Sequence, residues 1–366
     1  MARSAFGVAS VAALGIATAL NGPAGGGLQV SADGQQILAV SASAPGPVVI
    51  RADGTTEPTV RLLGGLSYIV RHPTLPVFYA AKESGTRNRI LVALTETANG
   101  WRELGRVTTG VGPVHIAFDA SGRTLFVAGY TDGDLTRVSV DGRGVPTASK
   151  RIRLPRGHGP DAARQSGPHT HSSAVSADDR YVVVTDLGTD SLHVLDANSL
   201  ALVRTERLPP GTGPRTAVFA DPFSLVVSEE LRGAVSWWQF NNGRLTLVRR
   251  INLGATTPSD VIVRPDSATA PGPAVLVISR ATDELIAISA DGEGRRWATP
   301  QCGARFGAWT AADVVTLACT RGNELRGVRL GTGTSVEIVG SRNIRGVSSF
   351  AIINAPNDQI PFPGRG

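Results

Sequence analysis

Charge is scarce in this sequence, and lysine is nearly missing. Charged residues make up 18% of the 366, and of the 36 basic ones only Lys82 and Lys150 are lysine, leaving 34 arginines. Aromatics are 5%, and there are two cysteines and one methionine. No helical period recurs; apolar runs are short and rich in Val, Ile and Thr. Each shortage excludes something. Few charges beside 42% hydrophobic residues exclude intrinsic disorder, because apolar material for a core is ample. The absent helical period excludes a helical fold. Arginines scattered singly among few aromatics make no basic stripe, so the formal charge of +6 does not point to nucleic acid.

Two cysteines are too few for an all-thiolate zinc site. They flank a predicted hairpin, Arg305–Trp309 and Val314–Ala318 with a turn near Ala311. Cys302 and Cys319 could therefore face each other, bonded in an oxidising compartment or as two buried thiols in a reducing one. Long apolar stretches are also lacking, so no membrane partner is expected. The longest, AFGVASVAALGIATAL at 5–20 behind Arg3, has the size and small-residue character of a secretory signal, with Ala17-Thr18-Ala19 as a cleavage signal. On that reading residues 1–22 precede the fold, and a secreted or periplasmic protein is favoured over a cytoplasmic one. The competing reading makes Val8–Leu20 an edge strand.

What is present is a repeat. One copy reads PVHIAFDASGRTLFVAGYTDGDLTRVSVDGRG from Pro113, the next HSSAVSADDRYVVVTDLGTDSLHVLDANS from His171, the third RTAVFADPFSLVVSEELRGAVSWWQFNNG from Arg215. Weaker copies start near Leu66, Ser259 and Arg305, with a partial one at Leu28 and a lone strand, SSFAIINAP, from Ser348. Each unit carries four short strands broken by Asp-Gly or Ser-Gly turns, which is the mark of an all-β propeller. The count gives seven four-stranded antiparallel blades in one domain over 28–356, with a tail at 357–366; six or eight are the neighbouring counts. The strand from Ser348 closes the ring by joining the blade built from about Gln36 to Leu63, removing an exposed sheet edge.

In such a ring the start of the innermost strand and the end of the second converge on one mouth of the central channel. His115 leads to Tyr130, His171 to Asp186 and Arg215 to Glu230, each fifteen residues on, and Arg305 leads to Thr320 by the same stride. Ser259-Asp260 reach Arg280 by a longer step through the insert SATAPGPA. A rim of arginines, histidines and carboxylate suits an anionic small molecule and acid–base work on it. The plainer reading is a solvated channel. The loop RGHGPDAARQSGP, Arg156–Pro168, leads into His169 and His171 and brings Arg164 and Gln165 beside them, as a lid or binding loop would.

With these residues in view, the sequence resembles the lactonase family of seven-bladed propellers, which includes 6-phosphogluconolactonases and carboxy-cis,cis-muconate cyclases. The likeness runs from about Leu66 to Ile353 and rests on RQSGPHTH (Arg164–His171), DLGTD (Asp186–Asp190), GTGPRTAVF (Gly211–Phe219), EEL (Glu229–Leu231) and ISR (Ile278–Arg280). It implies a lactone hydrolase without cofactor or metal, with His171, Glu230, Arg215 and Arg280 catalytic. His171 or Glu230 would be the general base, and the arginines would hold anion and oxyanion. His115, Glu83, Arg164, His169 and Asp186 are the expected substrate-binding set, and a small anionic lactone the expected partner of a monomeric protein. Thr216 stands where the family has His, and Glu229 where it has Asn. Two alternatives stay open: a metal between His169, His171 and Glu230, and a non-catalytic propeller binding an anionic ligand or, through Trp237-Trp238, a protein.

Overall fold

The computed structural model describes residues 36–353 except 42, 52, 61–64, 83–88, 255 and 265–273. The N-terminal apolar run, Glu83, most of the SATAPGPA insert and the tail therefore lie outside the described residues. Seven four-stranded antiparallel sheets form the molecule, and the innermost strand of each packs beside the innermost strands of its two neighbours, so the sheets stand as blades around an axis. Ring closure follows the expectation. Val347–Ile352 pairs antiparallel with Ile37–Ser41 in the register Ile37↔Ile352 and Ala39↔Phe350, making blade 1 from both chain ends. Blades 2 to 7 follow with innermost strands Leu66–Arg71, Pro113–Phe118, Thr170–Val175, Pro214–Asp221, Pro258–Val263 and Ala304–Trp309.

The strand sequences explain the layering. Second strands such as Thr124–Gly129 (TLFVAG) and Val314–Cys319 (VVTLAC) are buried along their whole length, because blades cover both of their faces. Outermost strands such as Pro146–Arg153 (PTASKRIR) are almost wholly exposed. Between blades 4 and 5, Val183, Val194, Phe219, Val227 and Trp238 form one apolar layer, each such side chain contributing about 1.5–3 kcal/mol on burial. Trp238 faces this layer and Trp237 the gap toward blade 6. Turn chemistry holds even where the repeat has drifted. Gly122 takes φ +70° in the turn of blade 3, and its counterpart Asp179 takes φ +57°, its carboxylate accepting the Ala120 N–H at 2.8 Å.

One irregularity recurs in every blade. Close to the mouth the innermost strand carries a β-bulge, between Leu66 and Tyr68, Pro113 and His115, Thr170 and Ser172, Pro214 and Ala217, Pro258 and Asp260, and Ala304 and Phe306. In blade 1 the same shift falls between Val347 and Ser349. A bulge sets two residues against one and re-aims a side chain. Here it turns the extra residue of each strand toward the axis.

Candidate active site at the channel mouth

The bulged residues Ser67, Val114, His171, Arg215, Ser259, Arg305 and Ser348, one from each blade, all line a single cavity of about 220 Å3. One residue deeper, Tyr68, His115, Thr216, Asp260 and Phe306 form its floor and also roof a second chamber of about 310 Å3 toward the opposite face. Tyr130 and Arg280, each following a second strand, complete the wall, and Arg164 reaches in from the long loop. That loop is tied down from below. The buried Gln165 amide donates to the Leu187 carbonyl at 2.9 Å and to Asp190 at 2.8 Å.

Of the expected catalytic four, His171, Arg215 and Arg280 line the cavity and Glu230 stands behind them. The Glu230 carboxylate accepts from Arg215 at 2.7 Å on one oxygen, and from Arg280 at 2.9 Å and Arg164 at 3.2 Å on the other. Burial works to raise its pKa, but Arg215, His171, Arg164 and Arg280 outweigh burial and hold it far below the usual carboxylate range. A carboxylate so committed has no lone pair directed at water and little affinity for a proton, so the role of base that Glu230 shared with His171 does not suit it. Burial, and then the neighbouring Arg215, push the His171 imidazole well below its ordinary value, leaving it neutral at pH 7. Its ring meets Tyr130 edge-on with centroids 5.7 Å apart.

The expected substrate-binding residues divide. His115 and Arg164 line the cavity. His115 accepts the Ser173 N–H at 3.4 Å, stacks obliquely on Tyr68 at 4.8 Å between centroids, and is pushed down to about 4 by burial. His169 does not line the cavity: its Nδ1 donates to the Tyr130 carbonyl at 2.9 Å and its ring lies flat on Tyr130. Asp186 is turned away from the mouth and fully buried, accepting the His169, Gly188 and Thr189 N–H groups. The constant fifteen-residue stride explains these differences. Pro113↔Gly129 and Thr170↔Asp186 are sixteen apart, while Pro214↔Glu229 and Ala304↔Cys319 are fifteen. A fixed stride therefore mixes layers, setting His115 one level too high and choosing Asp186 where Leu187 is the register equivalent of Tyr130 and Glu230.

Two charged residues outside the expected set belong to the cavity. Arg305 lines it and, among the described residues, has no ion pair. Asp260 is the one carboxylate among the described residues that faces it, and burial lifts its pKa to about 7. Both were visible as repeat positions, but nothing in the chain marks their depth. Thr216 sits on the floor where its hydroxyl bonds the Ser259 carbonyl, and Glu229 points outward to Arg250 at 2.8 Å. Among the described residues no three His, Cys, Asp or Glu side chains converge as a metal site requires, so the His169–His171–Glu230 alternative finds no support.

The sequence model of a family described as lactonase, 7-bladed beta-propeller, matches residues 53–301, more than half of the chain. A curated relative named 6-phosphogluconolactonase, from Formosa agariphila, is 34% identical over 151 residues, which cover 39% of this chain and 43% of that protein. The chain thus matches less than half the length of that relative. Among solved structures, the periplasmic gluconolactonase of Pseudomonas aeruginosa superposes with TM-score 0.75 at 20% identity, covering 88% of this chain and 99% of the other. A putative 6-phosphogluconolactonase of Bacteroides fragilis gives TM-score 0.73 at 17% identity, covering 87% and 98%. At these identities the two structures speak for the fold.

Proposed function

The chain belongs to the lactonase family of seven-bladed β-propellers, and from that membership and the mouth cavity we propose that it hydrolyses an anionic lactone, such as a phosphorylated or carboxylated sugar lactone. One observation carries this reading: four guanidinium groups, Arg164, Arg215, Arg280 and Arg305, line a cavity in which Glu230 neutralises only one positive charge. Excess cation in a partly dry cavity attracts an anion and stabilises negative charge as it develops.

Lactone opening requires a water attacking the carbonyl carbon and a home for the resulting oxyanion. Arg305 holds the anionic substituent, its fork matching carboxylate or phosphate. Arg280, pinned by Glu230 at one edge, aims its remaining N–H groups at the oxyanion. Glu230 sets the directions of three arginines at once, so it positions them rather than moving a proton. Neutral His171 accepts a hydrogen bond from the attacking water and orients it. The reaction is proposed to need no metal. The buried Cys302–Cys319 disulfide supports work in an oxidising compartment.

The test is a panel of sugar lactones and muconolactones assayed with wild type and Arg280→Ala. Wild type should exceed the uncatalysed rate on an anionic lactone, and Arg280→Ala should lose about 100-fold in kcat/KM, as loss of one oxyanion donor does. An Arg280→Ala enzyme as active as wild type would refute the assignment. The binding-only reading draws on one observation, the engagement of Glu230 by three arginines. It predicts saturable binding of the hydroxy acid with no turnover of any lactone.

A further inference from the structure

We propose that Asp260 is the residue that takes the proton from the attacking water and returns it to the leaving ring oxygen. The inference rests on lactone hydrolysis as the reaction at this site and adds the group that moves the proton.

The geometry singles out this residue. Asp260 follows the bulge in the innermost strand of blade 6 and forms part of the floor of the mouth cavity. Its carboxylate has no ion pair among the described residues. One oxygen accepts the adjacent Val261 N–H at 3.0 Å, the other a long 3.4 Å contact from Gly307 N–H, and the Thr216 hydroxyl also bonds the carboxylate. Its partners are neutral and, among the described residues, no arginine is bonded to it, whereas both Glu230 oxygens are consumed by arginine.

The charged and titratable surroundings come from every neighbouring blade: Arg215 and, behind it, Glu230 from blade 5, Arg305 from blade 7, and Arg280 from its own blade. Across the axis stand Tyr68 of blade 2, His115 of blade 3 and His171 of blade 4. Burial disfavours the ionised form of Asp260, the Val261 and Gly307 N–H groups and then Arg215 favour it, and the balance lies at about 7, where a base is available in part and can still release its proton. The histidines are worse acceptors. Both are pushed below their ordinary value by burial, and protonated His171 would stand beside Arg215.

The step balances as follows. Water oxygen bonds to the lactone carbonyl carbon while one water proton passes to the Asp260 carboxylate. The tetrahedral oxyanion collapses, the bond from carbon to ring oxygen breaks, and the Asp260 proton passes to that oxygen as it leaves as a hydroxyl. The new carboxylic acid loses its proton to solvent.

The experiment measures kcat and KM of the full chain from about pH 5 to about pH 9 for wild type, Asp260→Asn and Asp260→Glu, with folding checked by circular dichroism. Wild-type kcat/KM should fall tenfold per pH unit below about pH 7. Asp260→Asn should lose about 100-fold or more in kcat with little change in KM, and lose the acid limb. Asp260→Glu should keep part of the rate and show a displaced limb. Should the amide variant not fold, the glutamate variant decides: an unmoved acid limb there overturns the proposal. A folded Asp260→Asn enzyme with wild-type kcat or an intact acid limb also overturns it and leaves the lactonase reading standing. Wild type inert toward every lactone overturns both.

Discussion

Glu230 shows how much a single side chain can organise from behind a cavity wall. Its carboxylate is almost wholly buried, and ion pairs to Arg164, Arg215 and Arg280 surround it. Its folded pKa lies below the ordinary 4.5, so its contribution to stability is complete above pH 4.5 and is lost as pH falls toward the folded value. Glu230→Gln leaves three buried or half-buried guanidiniums short of a counter-charge and should cost about 3 kcal/mol at neutral pH. Urea unfolding of the two proteins should show that gap at pH 7 and a shrinking gap below pH 4.5; an equal gap at all pH values would contradict the ionic account. At this scale the sequence was partly legible. Arginine and histidine at repeat positions marked the rim, because few structural reasons gather them there. Depth was hidden, since His115 and His171 look equivalent along the chain and differ by one level across the bulge.

Elements explain that hidden level. A bulge is a backbone irregularity with no residue code, so the alternation of apolar residues locates each strand without revealing the extra residue near its start. Connections between the first two strands differ by one residue among blades 2, 3, 4, 5 and 7 and by five or six in blade 6, which defeats any fixed stride. The hairpin of blade 7 was legible in its strands. Its ends are joined by the Cys302–Cys319 disulfide, whose Cα atoms lie 4.4 Å apart and which closes a separation of 17 residues. Linking that stretch restricts the unfolded chain by about 3 kcal/mol in the loop-entropy account. The paired Cys302→Ala, Cys319→Ala variant should unfold at lower urea concentration than wild type, and added reductant should shift wild type but not the variant. Identical midpoints would show that the bond adds nothing to stability.

Across the whole molecule, the seven-fold repeat was the most legible feature, because each blade must bury both faces against its neighbours and so repeats the same apolar pattern. Ring closure was readable for the same reason: a lone strand after the last blade has no other edge to cover. Convergence of side chains on one mouth is a property of the closed ring alone, which is why Arg305 and Asp260 gain meaning only in three dimensions.

The most direct measurement of the central claim is a crystal structure of the full chain soaked with the hydroxy acid product of the lactone it turns over fastest. The account predicts density in the mouth cavity, with the anionic substituent on Arg305, the new carboxylate against Arg280, and Asp260 within hydrogen-bond reach of the former ring oxygen. Density in the opposite chamber, or an empty mouth at saturating ligand, would contradict it.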